Sequence, residues 1–224
     1  HVGGVGVVEA FIEGEIKTSP SVQCRITPLH EIEVISTHDQ VLGGDTGQIY
    51  IGANFPAHEE YRTEIGKQGY LVAAEMKKLG VLGRFGIDFI SVKDGMGWKH
   101  YAIEINLRKG GTTHPYIMLQ LLTGGKYDFE QGAYRMPNGQ TRSYLATDNL
   151  ISDKLKTLTP ADLIDIAICN GLHFDNFTQE GIMFHLIGAI SQHGKLGVLC
   201  VGATPERAQE LYQKTVDLLD LETR

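Results

Sequence analysis

The sequence predicts an α+β protein: an antiparallel sheet with flanking helices, followed by a small helix–strand–strand–helix unit. Stretches of period-two alternation are separated by short Gly-rich turns. One long segment carries helical periodicity, and two Thr-Pro helix openings occur after residue 150. A chain of 224 residues accommodates one large domain or two small ones packed together.

Residues 7–12 are apolar apart from Glu9, and residues 21–26 are strand-like, so the chain is expected to open with an antiparallel pair. Residues 31–42 alternate in part, Gly43-Gly44-Asp45-Thr46-Gly47 turns the chain, and residues 48–55 return as the second strand of a hairpin. After Pro56, the residues Tyr61, Ile65, Val72, Met76 and Leu79 share one face at 3.6-residue spacing, which predicts a long amphipathic helix with Gly80 as its C-cap.

Alternation resumes at Phe85, Ile87 and Phe89, which point one way, with Gly86, Asp88 and Ile90 pointing the other. The segment 93–97 turns, and residues 99–108 form the returning strand. A short helix is expected after His114-Pro115, ended by Gly124-Gly125, and residues 126–150 read as irregular around Pro137-Asn138-Gly139. In the last part, Thr159-Pro160 and Thr204-Pro205 each place a capping Thr before a first-turn proline. Strands near 182–190 and 196–201, joined by a turn containing Gly194, lie between them. No low-complexity linker separates residues 1–149 from residues 150–224, so the two parts are expected to pack together.

The formal charge of −7 argues against broad binding to nucleic acid or anionic membranes, and no apolar run approaches the roughly 20 residues of a membrane span. Cys24, Cys169 and Cys200 are odd in number and widely spaced, which suggests neither a disulfide framework nor a zinc site. They read as small buried residues in a reducing, cytoplasmic compartment. The intervals between His173, His185 and His193 match no usual ligand spacing, so these histidines read as structural.

The strand 101–108 carries the chemistry. Its alternation puts Ile103, Ile105 and Leu107 on a core face and Glu104, Asn106 and Arg108 on the other. A turn centred near Met96 would set Asp88 opposite Glu104 on that polar face. Facing carboxylates repel unless a cation lies between them, and oxygen donors without His or Cys suit Mg²⁺, which takes one or two carboxylates plus nucleotide phosphates. Alternation alone favours a plainer reading, the solvated outer face of an edge hairpin. Asn106, a poor strand former, and Asp88, set among Phe, Ile and Gly, speak against it.

These residues resemble the metal-binding core of ATP-grasp enzymes, which carry an Asp on one strand and Glu-x-Asn-x-Arg on the next. Residues 83–89, with Asp88, and residues 104–115, with Glu104, Asn106 and Arg108, follow that pattern in composition, spacing and order. The resemblance implies Mg²⁺ and ATP as cofactors. Asp88, Glu104 and Asn106 would hold the metal, while Arg108, as the catalytic residue, would stabilise transferring phosphate or the acyl-phosphate carboxylate. Gly110 and Gly111 would admit anionic groups close to the backbone.

Residues 8–15 are similar to the family's adenine hinge, which implies that backbone groups of Glu9, Ala10, Phe11 and Ile12 contact adenine and that Glu15 contacts the ribose. Taken alone, the same segment is an apolar strand with a turn. Together with Pro20-Ser21-Val22-Gln23, Thr37-His38-Asp39-Gln40, Phe55-Pro56-Ala57 and the tail 181–186, the chain looks most like the pheganomycin-synthetase type of peptide ligase. That type has a small C-terminal domain after the grasp.

The implied function is ATP- and Mg²⁺-dependent joining of a small-molecule carboxylate to an amine, an amino acid or peptide, through an acyl phosphate. Two alternatives stand beside it: a non-catalytic nucleotide-binding or interaction module, and carboxylation of the biotin-carboxylase sort. The family's phosphate-binding Lys and Gly-rich loop would precede His1, and Gly86 stands where some relatives have Arg. The isolated chain is therefore expected to be inactive as the C-terminal portion of a grasp, with a missing N-terminal half or a homo-oligomer as the partner to expect.

Overall fold

The computed structural model describes residues 10–45, 47 and 49–223. The strands are β1 (Ile16–Thr18), β2 (Pro20–Ile26), β3 (Ile32–Gly43), β4 (Ile49–Phe55), β5 (Gly83–Asp94), β6 (Gly97–Asn106), β7 (Lys126–Asp128), β8 (Ala133–Arg135), β9 (Ser143–Ile151), β10 (Gly181–His185) and β11 (Lys195–Gly202). The helices are α1 (Arg62–Lys78), α2 (Thr113–Thr123), α3 (Pro160–Cys169), α4 (Ile190–His193) and α5 (Pro205–Glu222). All strands but β7 and β8 join one nine-stranded sheet, and all its ladders are antiparallel. The antiparallel sheet with flanking helices is the fold class the sequence predicts.

Among the described residues the expected opening pair of 7–12 with 21–26 is not seen, because β2 pairs with β3 and β5. β1 does not pair with β2; Ile16 faces Lys93, Thr18 faces Ser91 and Ser21 faces Asp88, so both strands run in one register along β5 with a break at Ser19. Of the apolar run 7–12, residues 7–9 lie outside the described residues and Ala10, Phe11 and Ile12 form no strand. The β3–β4 hairpin is present as expected.

Helix α1 covers one face of the sheet. Tyr61, Ile65 and Ala73 pack into a core with Val22, Cys24, Ile26, Phe85, Ile87 and Phe89. The periodic pattern is right for Ile65, Val72 and Met76, but Leu79 is 76% exposed and is itself the C-cap, with Gly80 following at φ 79°. Gly66 and Gly69 sit on the buried side instead, Gly69 against Val22 of β2 and Gly66 against Phe129.

A second core lies under α2. Phe55 stacks on Tyr144 at 4.9 Å between ring centroids and meets Tyr116 and Tyr134 edge-on. α2 ends at Gly124 with φ 64°, the left-handed cap that glycine supplies without steric cost.

Residues 126–150 are not irregular. The β7–β8 hairpin closes the aromatic core through the Tyr127–Thr37 and Tyr134–Thr123 hydroxyl pairs, at 2.6 and 2.8 Å. β9 pairs with β4 on one side and β11 on the other. The expected division at 149/150 falls inside β9, through which the sheet continues into β11 and β10.

The helix–strand–strand–helix order holds. Thr159 and Asp162 form a capping box, and the Thr204 hydroxyl accepts from the Arg207 amide at 3.2 Å. The first strand ends at His185 rather than Ile190, because the chain turns there into a 3₁₀ segment and α4. Cys24 and Cys200 are buried as expected, their thiols pushed up by burial, Cys24 to about 12; Cys169 is exposed.

Candidate active site

The β5–β6 ladder places Glu104 opposite Asp88 and Asn106 opposite Gly86; on the other side of β5, β2 places Ser21 opposite Asp88 and Gln23 opposite Gly86. Directly opposed residues share a face, so these side chains converge on the side of the sheet where the segment 108–112 leads into α2. They line a cavity of about 330 Å³ that also includes Gln40, Tyr50, Arg108, Gly110, Gly111 and Thr112. Asp88, Glu104, Asn106 and Arg108 are therefore brought together.

Asp88 is the centre of the cluster. Gln40 Nε2 donates to Oδ1 at 2.8 Å and Asn106 Nδ2 donates to Oδ2 at 2.9 Å. Burial first, and the Glu104 charge second, push its carboxyl above the usual range, against the opposing pull of Gln40, Arg108 and Asn106. Glu104 is exposed.

The donor set fits Mg²⁺. Among the described residues neither of the two facing carboxylates forms an ion pair, although Arg108 acts on Asp88 electrostatically, and a divalent ion between them would relieve their repulsion. Donation through Nδ2 leaves Asn106 Oδ1 available as a neutral oxygen ligand. Among the described residues, the Arg108 guanidinium makes one hydrogen bond, a 3.4 Å contact from Nη1 to the Lys109 carbonyl, and Arg108 lines the cavity.

The core face expected for Ile103, Ile105 and Leu107 is a correction. They are 43%, 42% and 59% exposed. β6 is an edge strand, and only its Trp98–His100 end reaches α1, with Trp98 edge-on to Tyr61 at 4.6 Å. The alternation is also interrupted: Phe89 faces Ala102 while Asp88 faces Glu104, so Ile103 is the extra residue of a bulge.

Of the expected hinge residues, Ala10, Phe11, Ile12 and Glu15 do not line this cavity. Glu9 lies outside the described residues. Phe11 is 82% exposed with Lys17 Nζ 5.0 Å from its ring centroid, the Ile12 carbonyl accepts from Lys17, and Glu15 donates its backbone N–H to Lys93 O. Ala10 is exposed.

Two contributors carried no role in the sequence reading. Gln40 fixes Asp88, and Ser21 stands buried opposite Asp88 with its hydroxyl unpartnered. The signal was present in β2, where Ser21 and Gln23 alternate with Val22 and Cys24.

A model described as IQCH-like, ATP-grasp matches residues 2–130. The chain belongs to the ATP-grasp family. Residues 162–215 match a model described as the PGM1 C-terminal domain. Among curated proteins, an L-propargylglycine–L-glutamate ligase of Streptantibioticus cattleyicolor is 33% identical over 90% of this chain. This bears out the resemblance to the pheganomycin type. The chain spans 40% of that relative's length.

Solved structures agree on the fold. The phosphoribosylaminoimidazole carboxylase ATPase subunit of Aquifex aeolicus superposes with a TM-score of 0.58 at 14% identity, covering 95% of this chain and 58% of its own. The biotin carboxylase domain of a Hydrogenobacter thermophilus 2-oxoglutarate carboxylase, in complex with MgADP, ADP and bicarbonate, gives 0.54 at 14% identity, covering 92% and 46%. No described helix is long and apolar enough to cross a membrane.

Proposed function

We propose that this chain provides the metal- and phosphate-handling part of a carboxylate–amine ligase that couples ATP cleavage to amide formation through an acyl phosphate. The observation that carries the reading is the opposition of Asp88 and Glu104, with Asn106 beside them, in a cavity edged by Arg108. The 33% identical ligase supports amide formation over carboxylation, since the carboxylase neighbours resemble this chain only in fold.

Asp88, Glu104 and Asn106 Oδ1 would hold Mg²⁺, which would neutralise the charge of the phosphoryl group that ATP supplies. Gln40 and Asn106 keep the Asp88 carboxylate turned into the cavity by holding one oxygen each. Arg108 offers a guanidinium to the phosphate or acyl-phosphate oxygens, and the backbone at Gly110 and Gly111 leaves room for them. For Glu9, Ala10, Phe11, Ile12 and Glu15, adenosine binding is supported by the family membership of residues 2–130. Residues 1–149 are taken as the grasp portion and 150–224 as a C-terminal domain on the matches to residues 2–130 and 162–215. A cytoplasmic location is supported by the absence of disulfides among Cys24, Cys169 and Cys200.

The test is ADP release by the full-length protein over a panel of carboxylates and amines. Release that requires both Mg²⁺ and an amine, with an amide product, and that falls by about a hundredfold or more in Glu104→Gln, is expected. Mg²⁺-dependent ATP binding without turnover across the panel would instead mark a binding module. Bicarbonate-stimulated, amine-independent hydrolysis would mark a carboxylase.

A further inference from the structure

A second cavity, of about 260 Å³, adjoins the metal cavity and shares Tyr50, Gly110 and Gly111 with it. Tyr50 is the partition: a Cβ on Gly111 would lie 2.6 Å from the Tyr50 ring. Beyond it the walls come from separate parts of the chain, namely His114 at the start of α2, Asp148 on β9 and His185 at the end of β10.

These groups have one chemistry in common. Among the described residues, the Asp148 carboxylate and both imidazoles make no side-chain hydrogen bond, so they present acceptors and a negative charge to the cavity. Asp148 acts electrostatically on Tyr50 and on His185. Among the described residues no Lys or Arg lines this cavity, whereas Arg108 lines the other.

His185 is held in place by its surroundings. It faces Gly197 across the β10–β11 ladder, and any Cβ there would clash with the Nε2, Cδ2 and Cε1 atoms of the imidazole. His114 packs against it, with ring centroids 4.9 Å apart and the rings tilted by 48°. Burial, and then the neighbouring His114, lower the His185 pKa to about 4, against the pull of Asp148, so the imidazole is neutral near pH 7 and accepts rather than repels an N–H donor.

We propose that Asp148, His185 and His114 form the subsite for the ammonium group of the acceptor amine, with Asp148 as its countercharge and His185 as a hydrogen-bond acceptor. This inference rests on the ligase reading and names the chemistry of its acceptor side. A carboxylate-derived acyl phosphate beside Arg108 and an ammonium beside Asp148 would occupy adjoining cavities that share Tyr50, Gly110 and Gly111; on reaction the ammonium would give a proton to Asp148 or to the leaving phosphate, and the neutral amine would bond to the acyl carbon as inorganic phosphate leaves. It also gives the C-terminal strands a part in acceptor choice, through His185.

The experiment uses the full-length protein, Mg²⁺ and a panel of amino acids and amino-acid amides as acceptors, beside the matching α-hydroxy acids as competitive inhibitors. Asp148→Asn and His185→Leu are expected to raise the acceptor KM by about tenfold or more while the KM for ATP moves less than about twofold. Asp148→Asn should also lose the preference of the wild type for amine over hydroxy ligand, and Asp148→Glu should recover part of it. Thermal melting of each variant separates a folding defect from a binding defect, and His114→Leu provides an independent probe of the same wall. Wild-type protein that ligates amines, with folded variants that keep the acceptor KM and the amine preference, would overturn the subsite alone. Wild-type protein with no amine-dependent ADP release would overturn the ligase reading itself.

Discussion

Glu104 lies directly opposite Asp88, although the tight Gly95-Met96 turn between β5 and β6 would by itself put Ile103 there. From Asp94 opposite Gly97 to Phe89 opposite Ala102 the ladder follows the turn; the bulge at Ile103 then shifts it by one. A one-residue shift carries side chains to the other face of a strand. The bulge therefore turns both Glu104 and Asn106 towards Asp88.

Deleting single residues tests this. Without Ile103 the ladder becomes regular and Glu104 still follows Ala102 to stand opposite Asp88, so Mg²⁺-dependent nucleotide binding is expected to survive within a few fold. Without Ile105, Asn106 moves opposite Ile87, onto the other face, and its hydrogen bond to Asp88 is lost. Binding of Mg²⁺ and an ATP analogue to the full-length protein should then fall by about tenfold or more, as measured by calorimetry. Equal losses in the two deletions would show that the register of this strand end does not matter.

Asp88→Asn separates metal binding from stability. The folded-state pKa of Asp88 is raised, so its contribution to stability is present below the ordinary aspartate pKa and is lost as pH rises through the folded value. Near pH 7 with EDTA the wild type therefore holds an unfavourable buried charge that Asn lacks. The variant is expected to melt at higher temperature than wild type at pH 7, with the gap closing as the pH falls through the raised folded value and gone below about 4. Excess Mg²⁺ should raise the wild-type melting temperature and leave that of the variant unmoved. A variant less stable than wild type at pH 7 in EDTA would contradict the role of burial and Glu104.

The polar row was legible because period-two alternation needs only local geometry: Asp88, Glu104, Asn106 and Arg108 do share one cavity. Its register came out right for a reason the sequence did not show. A turn centred at Met96 gives the same Asp88–Glu104 pair as the Gly95-Met96 turn followed by a bulge. What failed depended on distant partners. Ile103, Ile105 and Leu107 look like a core face, yet whether a helix covers an edge strand is a tertiary matter. β9 was missed because Thr147, Asp148 and Asn149 dilute its apolar pattern, while its pairing with β4 and β11 supplies what local propensity lacks. His185 read as a structural residue in an apolar strand, and nothing local placed it beside His114 or over Gly197.

His38 should shape the acid limb of stability. It is fully buried, with Nε2 paired to the Tyr144 hydroxyl at 2.8 Å and Nδ1 without a partner. Burial lowers its pKa from 6.5 to about 3. Its favourable contribution is therefore complete above pH 6.5 and is lost as the pH falls towards 3, at up to about 1.4 kcal/mol per pH unit. His38→Gln should lower stability at pH 7 through poorer packing, yet its stability should fall less steeply than that of wild type between pH 6.5 and 4. Denaturant titrations across that interval give the comparison, and parallel curves would mean that His38 is charged in the fold or already protonation-insensitive in the unfolded chain.

Gly69 sets two helix rules against each other. In an exposed helix interior, Gly→Ala gains about 1 kcal/mol because alanine loses less backbone entropy. Gly69 is in the middle of α1, where a Cβ would come within 2.6 Å of Val22 Cγ1 and 3.1 Å of its Cβ. Val22 is fully buried and packed among Cys24, Ile87 and Tyr61, so it cannot swing away as an exposed chain end would. Overpacking of about 1–3 kcal/mol should outweigh the helix gain. Gly66 is the internal control, since its Cβ would meet Phe129 at 3.3 Å, and Phe129 is only partly buried. Gly69→Ala is expected to lower the melting temperature clearly more than Gly66→Ala, and Gly69→Ala combined with Val22→Ala should recover part of the loss, because the added methyl then occupies space the smaller side chain leaves. A stabilising Gly69→Ala would mean that α1 lies farther from β2 than this packing requires.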